Sequence, residues 1–227
     1  MKNSKITADE LRSYQKRSLW QEIWRNYRKS PSAMIGLIII AIIVILAIVS
    51  QFIYDYQTDI VQQDVMNRFV KPGIDGHLLG TDQYGRDVFS RVLVGAQTSI
   101  FSTLTLVAAI SLFGTIVGTL CGYYGGVVDS VMMRISDVCL AFPGLVFALA
   151  IAALLGGGVS NAVLALAVIS WPKYARVARS QTLALKSSDF MAAAQLSGDT
   201  SLQMILRHIL PNILGPILVT AMLDIGT

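Results

Sequence analysis

Charged residues are scarce in this chain, and their scarcity excludes an ordinary soluble domain. Asp, Glu, Lys and Arg make up 14% of the 227 residues, whereas apolar residues make up 54% and the mean hydropathy is +0.60. Soluble domains carry about 25% charged residues. A helix needs about 20 apolar residues to cross a bilayer, and several stretches here approach that length. The composition therefore indicates a membrane protein.

Cysteine and histidine are also rare, which argues against metal or redox chemistry. Cys121 and Cys139 have no CxxC spacing and no histidine cluster beside them. We expect both to pack between helices rather than to form a disulfide or a metal site. No GxxxxGK sequence is present, so any nucleotide chemistry has to occur on a partner.

The N-terminal segment is polar and basic, because eight of the 18 Lys and Arg residues precede Ser32. A cleavable signal peptide would begin with an apolar run instead. The pattern Thr7-Ala-Asp-Glu10 resembles a capping box. Four apolar side chains follow at helical spacing: Trp20, Ile23, Trp24 and Tyr27. Residues 1–32 are therefore predicted to form a cytoplasmic amphipathic helix on the membrane surface, ending at Ser30-Pro31; packing against a partner subunit is the alternative.

Apolar runs predict membrane spans at residues 33–54, 98–122, 138–155 and 161–174, with an incomplete fifth at 213–227. Residues 55–97 hold six Asp against four Lys and Arg, so the positive-inside rule places the N-terminus in the cytoplasm and this loop outside. Residues 123–137 are expected to form a short cytoplasmic connection. Basic residues after the fourth span return the chain to the cytoplasm: Lys173, Arg176, Arg179 and Lys186.

Glycine and proline predict two features of the spans. Gly114, Gly118 and Gly122 form overlapping GxxxG spacings, which favour close contact with another helix. Pro143 and Pro172 fall near the ends of the third and fourth spans, and we expect the sequence AFPG around Pro143 to bend the chain.

A polar cytoplasmic loop, SSDFMAAAQLSGDTSLQMILRHILPNILGP, precedes the last apolar segment. We expect one short helix before Gly198 and a second over residues 202–209 that ends near Pro211. Asp199 or Thr200 can cap the second helix. His208 is expected to cap carbonyl groups or to touch a partner. The two helices would form a protruding knob, and the small residues on its first helix would allow close approach of another protein.

This loop resembles the EAA loop of ABC importer permeases, whose pattern is Glu-Ala-Ala, then Gly, then Leu-Pro. Ala193, Ala194, Gly198, Leu210 and Pro211 stand at the family spacing, and Ala192 stands where the family has Glu. The sequence HLLGTDQYGRD, before the second span, is similar to the corresponding segment of oligopeptide, dipeptide and nickel permeases. Together the two motifs and the helix order cover roughly residues 30–227.

The resemblance implies an all-α polytopic protein with the type I ABC importer permease fold, five visible spans and a sixth in a full-length chain. Its core would occupy residues 98–227, with residues 187–211 as the loop that couples to the ATPase. It implies these partners: a homologous permease, two ABC ATPases that carry ATP and Mg²⁺, an extracytoplasmic substrate-binding protein, and the lipid of a prokaryotic inner membrane. It implies uptake of peptides, nickel or a related solute. No cofactor is expected in this chain, and no nucleic acid partner.

The GTDQYGRD segment has two interpretations. Its glycines permit tight turns and its charges can pair, so it can form a rigid extracytoplasmic lid over the pathway. The lid would consist of His77, Gly80, Thr81, Asp82, Gly85, Arg86 and Asp87. A turn network that only stabilises the fold is the alternative. A calcium loop is disfavoured, because the alternating Asp/Asn spacing of an EF-hand is missing.

Two other function classes depend on ionisable residues. A secondary transporter or channel would need such groups at membrane depth, and Asp224 in the last apolar segment is the candidate for the substrate pathway. An enzyme would need paired catalytic groups. His77 and His208 fall on opposite faces of the predicted topology and cannot cooperate, which argues against an enzyme.

Overall fold

The computed structural model describes Trp24, Arg25 and residues 27–226. These residues form helices and turns, with two isolated bridges and no strand among them. They divide into two compact units, one ending at Gln97 and the other beginning at Thr98. Most of the predicted surface helix, including Thr7, Glu10, Trp20 and Ile23, lies outside the described residues.

Helix α1, Pro31–Ile53, confirms the first predicted span to within two residues. Pro31 occupies the first turn, where its missing N–H costs no hydrogen bond. Only Ala47 and Ser50 are buried, and the long apolar side chains are exposed around the helix. A helix that is apolar on all sides is stable in lipid, which supports its assignment as a membrane span.

Helix α2, Val88–Tyr124, is longer than the predicted span and begins directly after the GTDQYGRD segment. Helices α3, Gly126–Ala141, and α4, Gly144–Leu154, meet at a bend of 92°. Most of the expected connection at residues 123–137 is helical, and its cytoplasmic position stays a prediction. The bend predicted at AFPG is confirmed: Pro143 disfavours helical backbone in the residue before it, and Phe142 is extended.

Helix α5, Val159–Lys186, continues well beyond the predicted end of the fourth span. Pro172 is buried inside this helix rather than near its end. The GxxxG prediction is confirmed, since α2 packs against α5 at all three glycines. A Cβ on Gly114 would lie 2.6 Å from the Trp171 carbonyl oxygen, and one on Gly118 would lie 2.1 Å from that of Ala175.

Helix α6, Asp189–Leu196, is followed by helix α7, Ser201–Ile225. The expectation that a helix ends near Pro211 is wrong. Residues Met204–Ile209 form a π-helical stretch in which the Leu210 N–H bonds to the Ile205 carbonyl, and α7 then continues through Pro211. A wider turn accommodates the proline, whose ring would crowd the preceding turn of a regular α-helix.

The helices that are long and apolar enough to cross a membrane are α1, α2 and α7 within the described residues, with the bent pair α3–α4 as a possible fourth span. Helix α5 is not among them because it carries Lys173, Arg176 and Arg179 next to its apolar half. The architecture is thus that of an all-α polytopic membrane protein, whereas the number of spans stays a prediction.

Candidate functional site: the coupling loop and the helix that carries it

Residues 187–211, predicted to couple to an ATPase and called the coupling loop below, contain two helices joined at Gly198, as predicted. Gly198 has a φ of +90°, a conformation that side-chain-bearing residues rarely adopt, and a Cβ there would meet open space. Thr200 caps the second helix: its hydroxyl accepts from the Gln203 N–H, and the Gln203 side chain accepts from the Thr200 N–H at 2.8 Å. Of the two predicted capping residues, Thr200 is therefore the one that caps.

The predicted site residues Asp199 and His208 contact each other across the loop. The His208 Nε2 atom lies 2.8 Å from Asp199 Oδ2, and both side chains are partly buried. His208 therefore contacts a carboxylate rather than the carbonyl groups proposed from the sequence. The contact connects the turn after α6 to the π-helical stretch of α7.

The loop has a buried side and an exposed side. Met191, Met204 and Ile209 are buried and anchor the loop on the core. Leu196 is 89% exposed and Leu202 is 65% exposed. Among the other predicted site residues, Ala192, Ala193 and Pro211 are exposed and Ala194 is partly buried. Exposed apolar side chains beside small residues fit an interface with another protein.

A cleft of about 280 Å³ lies at the base of α6. It is lined by Tyr123, Lys186, Met191, Ala192, Gln195 and Met204. The Lys186 ammonium donates a hydrogen bond to the Tyr123 carbonyl oxygen at 2.6 Å and lies 5.5 Å from the centre of the Tyr123 ring. The end of α5 is thereby fixed to the end of α2.

Three basic residues of α5 form ion pairs with other helices. Arg179 contacts Asp129 of α3 through two hydrogen bonds of 2.5 and 2.6 Å. Arg176 contacts Asp137 of α3 at 2.7 Å. Lys173 pairs with Asp224 of α7, which also accepts a hydrogen bond of 2.8 Å from Tyr174. From the sequence, these basic residues indicate only the topology. Their spacing of three residues on one helix is the sequence pattern that points to a shared packing role.

The GTDQYGRD segment, in the other unit, forms a network centred on Asp82. The Asp82 carboxylate accepts from Arg86 Nε at 2.9 Å, from the Tyr84 backbone N–H at 2.8 Å, and from Arg91. Burial disfavours the charged form of Asp82, but the hydrogen bonds from Arg86 and Tyr84 outweigh this effect and lower its pKa to about 2.

The other residues of the predicted lid hold the same turn. His77 contacts Asp87 at 2.9 Å, and Asp87 accepts from the Ser90 N–H at the start of α2. The buried Thr81 hydroxyl donates to the Asn67 carbonyl oxygen at 2.5 Å. Gly80 and Gly85 have positive φ, and a Cβ on Gly85 would lie 1.6 Å from the Asp64 carbonyl oxygen. The segment is therefore held in place by contacts within this part of the chain. A cleft of about 630 Å³ lies beside it.

Among the residues that the structure describes, no group of three or more His, Cys, Asp or Glu side chains is arranged to hold a metal ion. Cys121 and Cys139 are both free thiols, and Cys121 packs in the core as expected.

Two protein families match the chain. One is described as the inner membrane component of binding-protein-dependent transport systems and matches residues 114–227. The other is described as the N-terminal TM domain of oligopeptide transport permease C and matches residues 18–72.

Curated relatives match nearly the whole chain. The dipeptide transport system permease protein DppC of Alkalihalophilus pseudofirmus is 37% identical over 210 residues, which cover 92% of this chain and 68% of the relative. The glutathione transport system permease proteins GsiD of Escherichia coli O157:H7 and Shigella sonnei are each 39% identical over 214 residues, which cover 94% of this chain and 70% of the relative.

Proposed function

The chain belongs to the family of binding-protein-dependent transport system inner membrane components, and we propose that it is one permease subunit of an ATP-driven importer of small peptides. The observation that carries the proposal is the coupling loop. It holds the family's motif residues Ala193, Ala194 and Gly198 on a two-helix knob, with exposed leucines on either side of the glycine turn.

The proposed complex contains a homologous permease, two ATPase subunits and an extracytoplasmic substrate-binding protein. The two permeases form the pathway across a prokaryotic inner membrane, and ATP and Mg²⁺ bind to the ATPases. The coupling loop and the N-terminus face the cytoplasm, and the GTDQYGRD segment faces outside and covers the pathway. The surplus of Asp in residues 55–97 supports this orientation.

Helix α5 is the element that transmits ATPase closure in this proposal. It ends at the coupling loop and contacts α2 through backbone at Gly118, α3 through Arg176 and Arg179, and α7 through Lys173. Closure of the ATPases would displace α6 and, through α5, move these helices together. The pathway would then alternate between inward-open and outward-open states whose populations depend on the bound nucleotide.

Small peptides are the proposed substrates, because the reported relatives are named for dipeptide and glutathione transport. The names of these relatives give no support for nickel, the other substrate that the sequence left open.

Asp224 is proposed to contribute to the substrate pathway through its pairing with Lys173. Both lie on helices of the permease core, and Lys173 remains exposed on one side. We expect Asp224→Asn to change the substrate KM or the peptide preference of uptake in proteoliposomes; unchanged values would remove Asp224 from the pathway. A secondary transporter or channel based on Asp224, the alternative from the sequence, is disfavoured by the family membership.

The proposal is tested by purifying the chain from its native membrane in mild detergent, crosslinking it, and identifying the partners by mass spectrometry. We expect a second permease and two ATPases, with crosslinks from the ATPases to residues 188–205. Recovery of the chain alone, or only with copies of itself, would contradict the proposal.

A further inference from the structure

Lys186 differs from the other basic residues that the structure describes on α5. Lys173, Arg176 and Arg179 each pair with an aspartate. Within the described residues, Lys186 forms no ion pair with a carboxylate; its ammonium donates to the backbone carbonyl of Tyr123 and lies over the Tyr123 ring. Its ammonium group has three N–H donors, so it can accept a further partner without losing this hydrogen bond.

The cleft beside Lys186 has room for such a partner. Its volume of about 280 Å³ is several times the roughly 30 Å³ that one water occupies in the liquid. Ala192 lines the same cleft, at the position where the EAA pattern has Glu. A glutamate at residue 192 would extend into the cleft that Lys186 lines. With alanine there, the cleft contains a cation and free volume but no anion among its lining residues.

We propose that this cleft binds an acidic side chain of the ATPase subunit, which takes the place of the absent glutamate. The inference rests on the proposed function, because it requires an ATPase that docks on the coupling loop. Gln195, which also lines the cleft, can donate a second hydrogen bond to the incoming carboxylate. The exposed Leu196 next to it would exclude water from the contact, and an ion pair shielded from water is stronger than one in bulk solvent.

A carbodiimide crosslink tests the contact directly in the wild-type complex. This reagent joins an amine to a carboxylate only when the two are in direct contact. We expect mass spectrometry to identify an amide between Lys186 and an Asp or Glu of the ATPase. A Lys186 amide to a residue of this chain, or no Lys186 amide in a complex that does contain the ATPase, would overturn the proposal.

Affinity measurements with four variants test whether the contact contributes to docking. Lys186→Met removes the cation and should weaken ATPase binding by about fivefold or more, since about fivefold is the upper range for an exposed ion pair and this pair is shielded from water. Lys186→Arg should preserve the affinity while abolishing the crosslink. Ala192→Glu should weaken binding to a similar extent, because its carboxylate would occupy the cleft and pair with Lys186. Arg207→Met is the matched control: it removes an exposed positive charge from the same loop outside the cleft.

The outcomes separate this inference from the proposed function. If the wild-type chain binds no ATPase, the proposed function itself fails. If the ATPase binds but Lys186→Met has no effect, or Lys186→Met and Arg207→Met weaken binding equally, only the cleft proposal fails. Tighter ATPase binding by Ala192→Glu would also overturn the cleft proposal. It would mean that the ATPase binds well when a carboxylate of this chain already occupies the cleft.

Discussion

The GTDQYGRD segment and the coupling loop both turn at a glycine with positive φ, but the surroundings of the two glycines differ. A Cβ on Gly85 would overlap the Asp64 carbonyl oxygen, whereas a Cβ on Gly198 would meet open space. The first segment uses its charged groups to hold its own backbone, while the second exposes leucines beside its turn. The GTDQYGRD segment is thus stabilised by contacts within the chain, whereas the coupling loop exposes apolar side chains that fit contact with a partner.

The largest effect on stability is expected from Gly85→Ala. Its added Cβ would displace the backbone at Asp64 and lower the stability of the folded segment by about 3 kcal/mol or more. The measurement is the apparent Tm and the folded yield in detergent. Gly76→Ala is the control, since Gly76 also has positive φ but faces open space and should cost only about 1 kcal/mol. Equal losses of stability in the two variants would contradict the inference that Gly85 is closely packed and Gly76 is not.

Gly198→Trp should reduce transport beyond the effect of the roughly 1–2 kcal/mol of backbone strain that the positive φ of residue 198 imposes on a side chain. A bulky side chain at the exposed turn should interfere with ATPase docking and reduce peptide uptake per ATP hydrolysed by about tenfold or more, while membrane insertion stays intact. Uptake and hydrolysis are measured in the same proteoliposomes. Gly198→Asn is the matched control, because asparagine tolerates positive φ and is small. Unchanged uptake by the tryptophan variant would argue against the coupling role.

Arg86→Ala separates the two interpretations of the external segment. Loss of the Arg86 hydrogen bonds to Asp82 should cost about 1–2 kcal/mol of stability, because Arg91 still pairs with that carboxylate. The lid proposal expects uptake per assembled complex to fall as well. Normal uptake by a less stable protein would mean that the segment only stabilises the fold. Arg68→Ala, an exposed arginine of the same loop, is the control.

Acidification tests the same network without removing a side chain. Because the folded pKa of Asp82 is about 2 and its unfolded value is about 3.9, its contribution to stability is fully present above about pH 4 and is lost as the pH falls toward 2. The protease resistance of the segment should therefore decrease over this range. Asp82→Asn should be less resistant at pH 6 and show less dependence on pH. An equally steep decrease in that variant would assign the effect to another group.

Local patterns predicted the features that depend on neighbouring residues. The GxxxG spacing predicted the α2–α5 contact, AFPG predicted the bend, and Gly198 predicted the turn in the knob. Each of these follows from the conformational limits of glycine or proline, which act within a few residues.

Long-range contacts were not predictable in the same way. Lys173, Arg176 and Arg179 end an apolar run, so hydropathy predicted the end of a span where α5 in fact continues. Their partners are aspartates that are distant in sequence, and only packing of the helices brings them together. The continuation of α7 through Pro211 depends on a π-helical stretch that no local pattern signalled.

The direct backbone contact between α2 and α5 has a genetic consequence. Every missense change in a glycine codon adds at least one carbon atom beyond Cα, and at Gly114, Gly118 and Gly122 that atom would lie within 3 Å of α5. We therefore expect these codons to tolerate missense mutation poorly, whatever solute the protein carries. At Gly36 and Gly215 the added atom meets nothing of this chain within 4 Å, so we expect these codons to tolerate missense mutation better. The helix contact thus constrains these three positions independently of the substrate.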